Sequence, residues 1–185
     1  FLIFLPVMGF IAYWAEIYLI KNYHFSHSKA LAECSLVWLT SGCFSPIIGW
    51  LSSYLNSRIK PLLFCLTIGL ISLSTLLLLK PTSAIMVGFL MVGIGISASS
   101  LILPFAIAND YIPKKKIATA FGIINFGVVI SAPFGQLLIG LLVKKSLFGL
   151  SLDHALWFLL ASYIFAAFIG LSLRTSGMVQ TRVTN

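Results

Sequence analysis

Residues Ile117 to Val143 read IATAFGIINFGVVISAPFGQLLIGLLV and carry no charge. A helix of roughly 20 apolar residues crosses a bilayer, and this stretch is long enough. It also holds Asn125, Ser131, Pro133 and Gln136, with Gly122, Gly127, Gly135 and Gly140. On a wheel of about 3.6 residues per turn, Asn125 and Gln136 fall about 20° apart. Gly127, Ser131 and Gly135 recur every fourth residue on roughly the opposite face. Such ladders let helix backbones approach closely in lipid. Amides facing hydrocarbon lack partners, so the Asn125–Gln136 face belongs against protein or a watery cavity. The stretch therefore predicts a spanning helix with one packing face and one polar face.

The rest of the chain agrees in character. Its 185 residues are 59% hydrophobic and 9% charged, with mean hydropathy +1.06. Soluble domains carry about 25% charged residues, so this is a membrane composition. The net charge of +8 sits between apolar segments and forms no basic stripe, which argues against a nucleic-acid partner. Cys34, Cys43 and Cys65 lie in apolar segments without metal-ligand spacing and read as small hydrophobes. The chain opens on Phe1, already apolar, and reads as one that starts inside something longer.

Working outward gives an all-α membrane protein of six segments: 1–20, 30–55, 61–79, 83–108, 117–143 and 155–173. A polar tail, 174–185, follows. Six crossings put both ends on one side. That side holds Arg58, Lys60, Lys114, Lys115, Lys116, Arg174 and Arg182; the other holds Lys21, Lys29, Lys80, Lys144 and Lys145. The excess, and the confinement of arginine to the first side, place both termini in the cytoplasm. Two sets of three segments also suit an inverted repeat.

Few residues carry chemistry. Glu16 lies within the first segment, where a carboxylate is costly and needs a partner or a task. Pro6, Gly9, Tyr13 and Glu16 share a broad face. Glu16 and Tyr13, with Asn125 and Gln136, are therefore candidates for a solute or proton pathway. The plainer reading has Glu16 reaching the interface toward Lys21, and the two amides bonding between helices. Glu33 reads as interfacial. Asp110 precedes Pro113 and three lysines and either pairs with one, caps the next helix or serves a gate. Asp153 reads as part of a helix N-cap region. His24 and His27 stand three apart in a connection and make a poor metal site. No GxSxG, HExxH, P-loop or dinucleotide fingerprint occurs, and the four acids are scattered. No enzyme, metal or cofactor is expected.

Gly49 to Pro61, GWLSSYLNSRIKP, resembles the loop motif of the major facilitator superfamily, roughly G-x-x-x-D-R-x-G-R-R. Gly49 and Arg58 fit it. Ser53 stands where the acid usually sits, and Asn56 where glycine is usual. Pro113 to Leu142 is similar to the family's tenth loop and eleventh helix, through Pro113, Ala118, Thr119, Gly122, Asn125, Gly127 and Gly135. The resemblance is to the C-terminal half, helices seven to twelve. It implies half of a twelve-helix secondary transporter that moves a small solute by alternating access. Such carriers often couple to protons as symporters, with Glu16 then the titrating group. It implies a gating loop at Gly49, Arg58 and Asp110. Its flavour of bacterial carriers implies the inner (plasma) membrane. The partners implied are the solute, protons, the lipid bilayer, and an N-terminal half or second copy. The alternative is a truncated, non-transporting six-helix scaffold.

Overall fold

A computed structural model describes residues 1–144 and 149–175, with side chains to residue 172. Among these residues every regular element is helical. The first segment is broken. A π-helical turn, Val7–Ile11, is followed by α1, Trp14–Tyr23, with Tyr13 at φ −150°, ψ −55° between them. α1 ends at His24, whose φ of 54° is the left-handed conformation that closes helices.

α2 runs His27–Tyr54, and its Ser26 cap accepts a hydrogen bond from the Lys29 amide. α3, Ile59–Ser74, continues as a π-helical turn, Thr75–Leu79. α4, Ala84–Ala98, and α5, Ile102–Tyr111, join through a 3-10 turn at Ser99–Leu101. There the Ser99 and Ser100 hydroxyls donate to the carbonyls of Ile96 and Ser97. Such back-bonding competes with the helical ladder and bends it. α6 is Ile117–Val143, unbroken through Pro133. α7, Leu152–Ala155, leads into α8, Trp157–Thr175.

Among the described residues five helical stretches are long and apolar enough to cross a bilayer: His27–Tyr54, Ile59–Leu79, Ala84–Tyr111, Lys114–Val143 and Leu152–Ser172. α4 packs between α2 and α3, α8 lies on α3, and α6 lies along the Val7–Ile11 turn. The core centres on Phe10, Tyr18, Leu66, Met91, Ile94, Leu103 and Tyr163, all fully buried. Outside, Leu39, Trp50, Tyr54, Ile123, Phe126 and Leu137 are exposed. In water such faces would be a liability; in lipid or against another helical unit they are not.

The ladder on α6 packs as its spacing predicts. Gly135 is buried and lies so close to Gly9 that a Cβ on Gly135 would stand 2.6 Å from the Gly9 Cα. Ser131 is also buried and donates to the Val128 carbonyl. Phe1 stands beside Gly127 and Gly9 beside Gly135, so the first segment and α6 run parallel.

Candidate functional site

The break in the first segment is where three of the four pathway candidates gather. The Trp14 indole N–H donates to the Gln136 carbonyl oxygen at 3.2 Å. The Gln136 amide nitrogen donates to the Met8 carbonyl at 3.4 Å. Each segment thus partners the other's polar group, and α6 clasps the break from both sides. π-helical turns misalign backbone groups and need such outside partners. Tyr13 stacks edge-on against Trp14, centroids 5.3 Å apart, and is 56% exposed.

Glu16 lies in the first turn of α1. Its carboxylate meets His27 Nδ1 at 2.5 Å. The partner is His27, at the start of α2, and not Lys21 on its own helix. The pair ties the α1–α2 corner. Gln136 is half-buried against the break, whereas Asn125 is exposed. Asn125 lies 11 residues earlier on α6, about 16 Å along the axis at 1.5 Å per residue. The shared wheel angle therefore does not bring the two amides into one environment: the clasp to Met8 holds Gln136 alone.

The loop candidates converge at the opposite end. Arg58 Nε donates to Asp110 Oδ2 at 2.8 Å, joining the α2–α3 connection to the end of α5. The same guanidinium donates to Ser52 Oγ at 3.1 Å and Ser53 Oγ at 3.4 Å. Both members of the pair are about a fifth exposed, so the contact is only partly screened by solvent. Gly49 accepts from the Ser53 hydroxyl and faces Ile102 of α5. Asp110 thus takes Arg58 as its partner, and none of the three following lysines. Fixed donors and acceptors on α2, the connection and α5 now form one linked corner.

A third cross-link sits at the other end of the bundle. Lys80 pairs with Asp153 at 2.5 Å. The N-cap of α7 is Ser151, whose hydroxyl accepts from the His154 amide, so Asp153 is left to bind Lys80. Tyr18 and Tyr23 both donate to the Leu76 carbonyl, at 3.1 and 2.9 Å. That carbonyl lies in the last turn of its helix, where acceptors go unused.

An apolar cleft of about 540 Å³ lies beside Phe1, Leu62, Pro104, Tyr111, Ile124 and Ile169. None of the four pathway residues lines it. It is a gap between helix ends without convergent polar groups and has no chemistry to recognise a polar solute.

The family described as Major Facilitator Superfamily matches residues 1–181. The chain belongs to the major facilitator superfamily. Members of this superfamily are transporters, not enzymes, and move small solutes through a lipid bilayer. This protein is accordingly an integral membrane transporter of the major facilitator kind. No curated protein and no solved structure matches it. The superfamily's loop motif can now be read against the geometry. Asn56, at the usual glycine position, has φ 46°, and asparagine is among the few non-glycine residues that tolerate it. Ser53, at the usual acidic position, is a neutral acceptor for Arg58. The charge that Ser53 lacks comes to Arg58 from Asp110.

Trp14, His27 and Lys80 escaped the sequence reading as site partners. His27 read as one of two histidines in a connection; only the α1–α2 corner brings it the Glu16 carboxylate.

Proposed function

We propose that this chain works as the C-terminal six-helix half of a secondary transporter for a small polar solute, in the plasma (inner) membrane with both ends cytoplasmic. The observation that carries the reading is the two-sidedness of α6. Its small-residue face is spent on the first segment, through Gly135 and Gly9. Its other face, with Asn125, Phe126 and Leu137, is uncovered by its own bundle. An exposed amide in a spanning helix belongs beside protein or water. A second six-helix unit placed there encloses a cavity between the two.

In this reading Tyr13 and Asn125 face the solute, and Gln136 holds the break in the first segment. Glu16 and His27 close the outer corner. Arg58 and Asp110 tie the cytoplasmic corner and part or re-form as the halves rock. Arg58 and the Lys114–Lys116 run at that corner support the cytoplasmic placement.

The test uses the native full-length polypeptide, purified in detergent. A panel of amino acids, sugars and organic acids is screened for a rise in Tm, since a ligand that binds only the folded state stabilises it. The expected result is stabilisation by one class, exchange of that solute in vesicles, and a KM raised about tenfold by Asn125→Ala, a loss of about 1.4 kcal/mol. A protein that neither binds nor exchanges any solute of the panel contradicts the reading and favours a scaffold.

A further inference from the structure

The chain has four acidic residues, and three of them are spoken for. Glu16 is held by His27, Asp110 by Arg58 and Asp153 by Lys80. Glu33 is the fourth. Its side chain is only partly buried, but Oε2 is sealed from solvent and has no hydrogen-bond partner among the described residues.

The position explains the isolation. Glu33 lies on α2, between one and two turns past His27, and faces Gly88 of α4. A Cβ at residue 88 would come within 3.3 Å of Oε2, a tight contact that obliges the carboxyl to give way slightly. The charged and titratable neighbours are few. α4 contributes none between Ala84 and Ala98. α1 contributes Glu16, already paired with His27. On α2, Cys34 is a buried free thiol whose electrostatic surroundings include both Glu16 and Glu33. Lys29, one turn back, is the natural i,i+4 partner, but its ammonium lies 4.2 Å over the Phe25 ring. The nearest cation is thus turned to an aromatic ring and acts on Glu33 only through space.

We propose that Glu33, in its slot against Gly88, is a proton-binding site of this chain and carries the proton that moves with the solute. An ionised carboxylate oxygen sealed within a spanning helix without a hydrogen-bond partner is costly. The neutral acid removes the charge and avoids that cost. The step is a simple one: the carboxylic acid gives its proton to water when the slot opens to one side, and the carboxylate takes one back from the other. The use of the proton rests on the carrier reading above; its presence on Glu33 does not.

The test is an infrared measurement on the native full-length protein in lipid vesicles at neutral pH. The carbonyl stretch of a protonated carboxylic acid is expected in the spectrum, lost in Glu33→Gln and kept in Glu16→Gln. Gly88→Ala, which crowds Oε2 without removing an acid, shifts or removes the same band. Circular dichroism confirms that each variant is folded, and the Gly88→Ala result decides if Glu33→Gln is not. A band unchanged by both Glu33→Gln and Gly88→Ala, or no such band at all, overturns the proposal. Uptake then separates the two claims. Loss of its pH dependence in Glu33→Gln supports coupling, and an unaltered pH dependence overturns it. A protein that transports nothing sinks the carrier reading while the infrared result still decides where the proton sits.

Discussion

Gly135→Leu is expected to leave little folded protein after detergent extraction. The contact it disrupts is backbone on backbone, with a Cβ placed 2.6 Å from the Gly9 Cα. No rotamer relieves that; α6 and the Val7–Ile11 turn must separate, and the Trp14 and Gln136 hydrogen bonds go with them. Overpacking a core costs about 1–3 kcal/mol where side chains can shift, and the upper end or beyond is expected here. The control is Gly42→Leu, on α2. Nothing lies within 4 Å of a Cβ there, and leucine is a better helix former than glycine by nearly 1 kcal/mol. Thermal unfolding followed by size exclusion separates the two. Equal behaviour of the variants would mean that the first segment does not rest on Gly135.

Breaking the Arg58–Asp110 pair is the second large effect. Arg58→Ala strands a carboxylate that is about a fifth exposed, and Asp110→Asn strands the guanidinium among Ser52 and Ser53. Hydrogen bonds to charged groups contribute about 1.5–3 kcal/mol, and a loss in that range is expected from each change. The double variant should cost less than the sum, by about 1 kcal/mol or more, because the two changes remove one interaction. Arg58→Lys is not a rescue: an ammonium cannot reach Asp110 and the serines with the fixed fork of arginine. Additivity within about 0.5 kcal/mol would show that the pair is a solvated surface contact and the corner is not linked.

How much of this was legible in the sequence differs from residue to residue. The character of Ile117–Val143 was, because a four-residue spacing of Gly127, Ser131 and Gly135 has one physical use in a helix without charge. The break at Tyr13 was not. Phe1 to Ile20 is apolar throughout, and the break stands where α6 presses Gly9 and offers Gln136, a tertiary cause that periodicity along one segment does not contain. Arg58 and Asp110 could each be named, but their meeting spans 52 residues, and a charge beside three lysines offers nearer partners on paper. Glu16 had the same problem with Lys21. The family resemblance placed Arg58 in a loop motif, and its departures at Ser53 and Asn56 became intelligible only with Asp110 and the φ of Asn56 in view. Glu33 read as interfacial because its depth along α2 is modest. What sets it apart is Gly88 on another helix, and no one-dimensional pattern joins those two positions.

The central claim is that the uncovered face of α6 meets a second six-helix unit. The direct measurement is the size of the native polypeptide and of its assembly, by immunoblot with an antibody to residues 174–185 and by native mass spectrometry in detergent. The account predicts a band near twice the 20.2 kDa of this chain, or a 20.2 kDa chain that runs as a dimer. A monomeric 20.2 kDa protein with nothing on that face would contradict it.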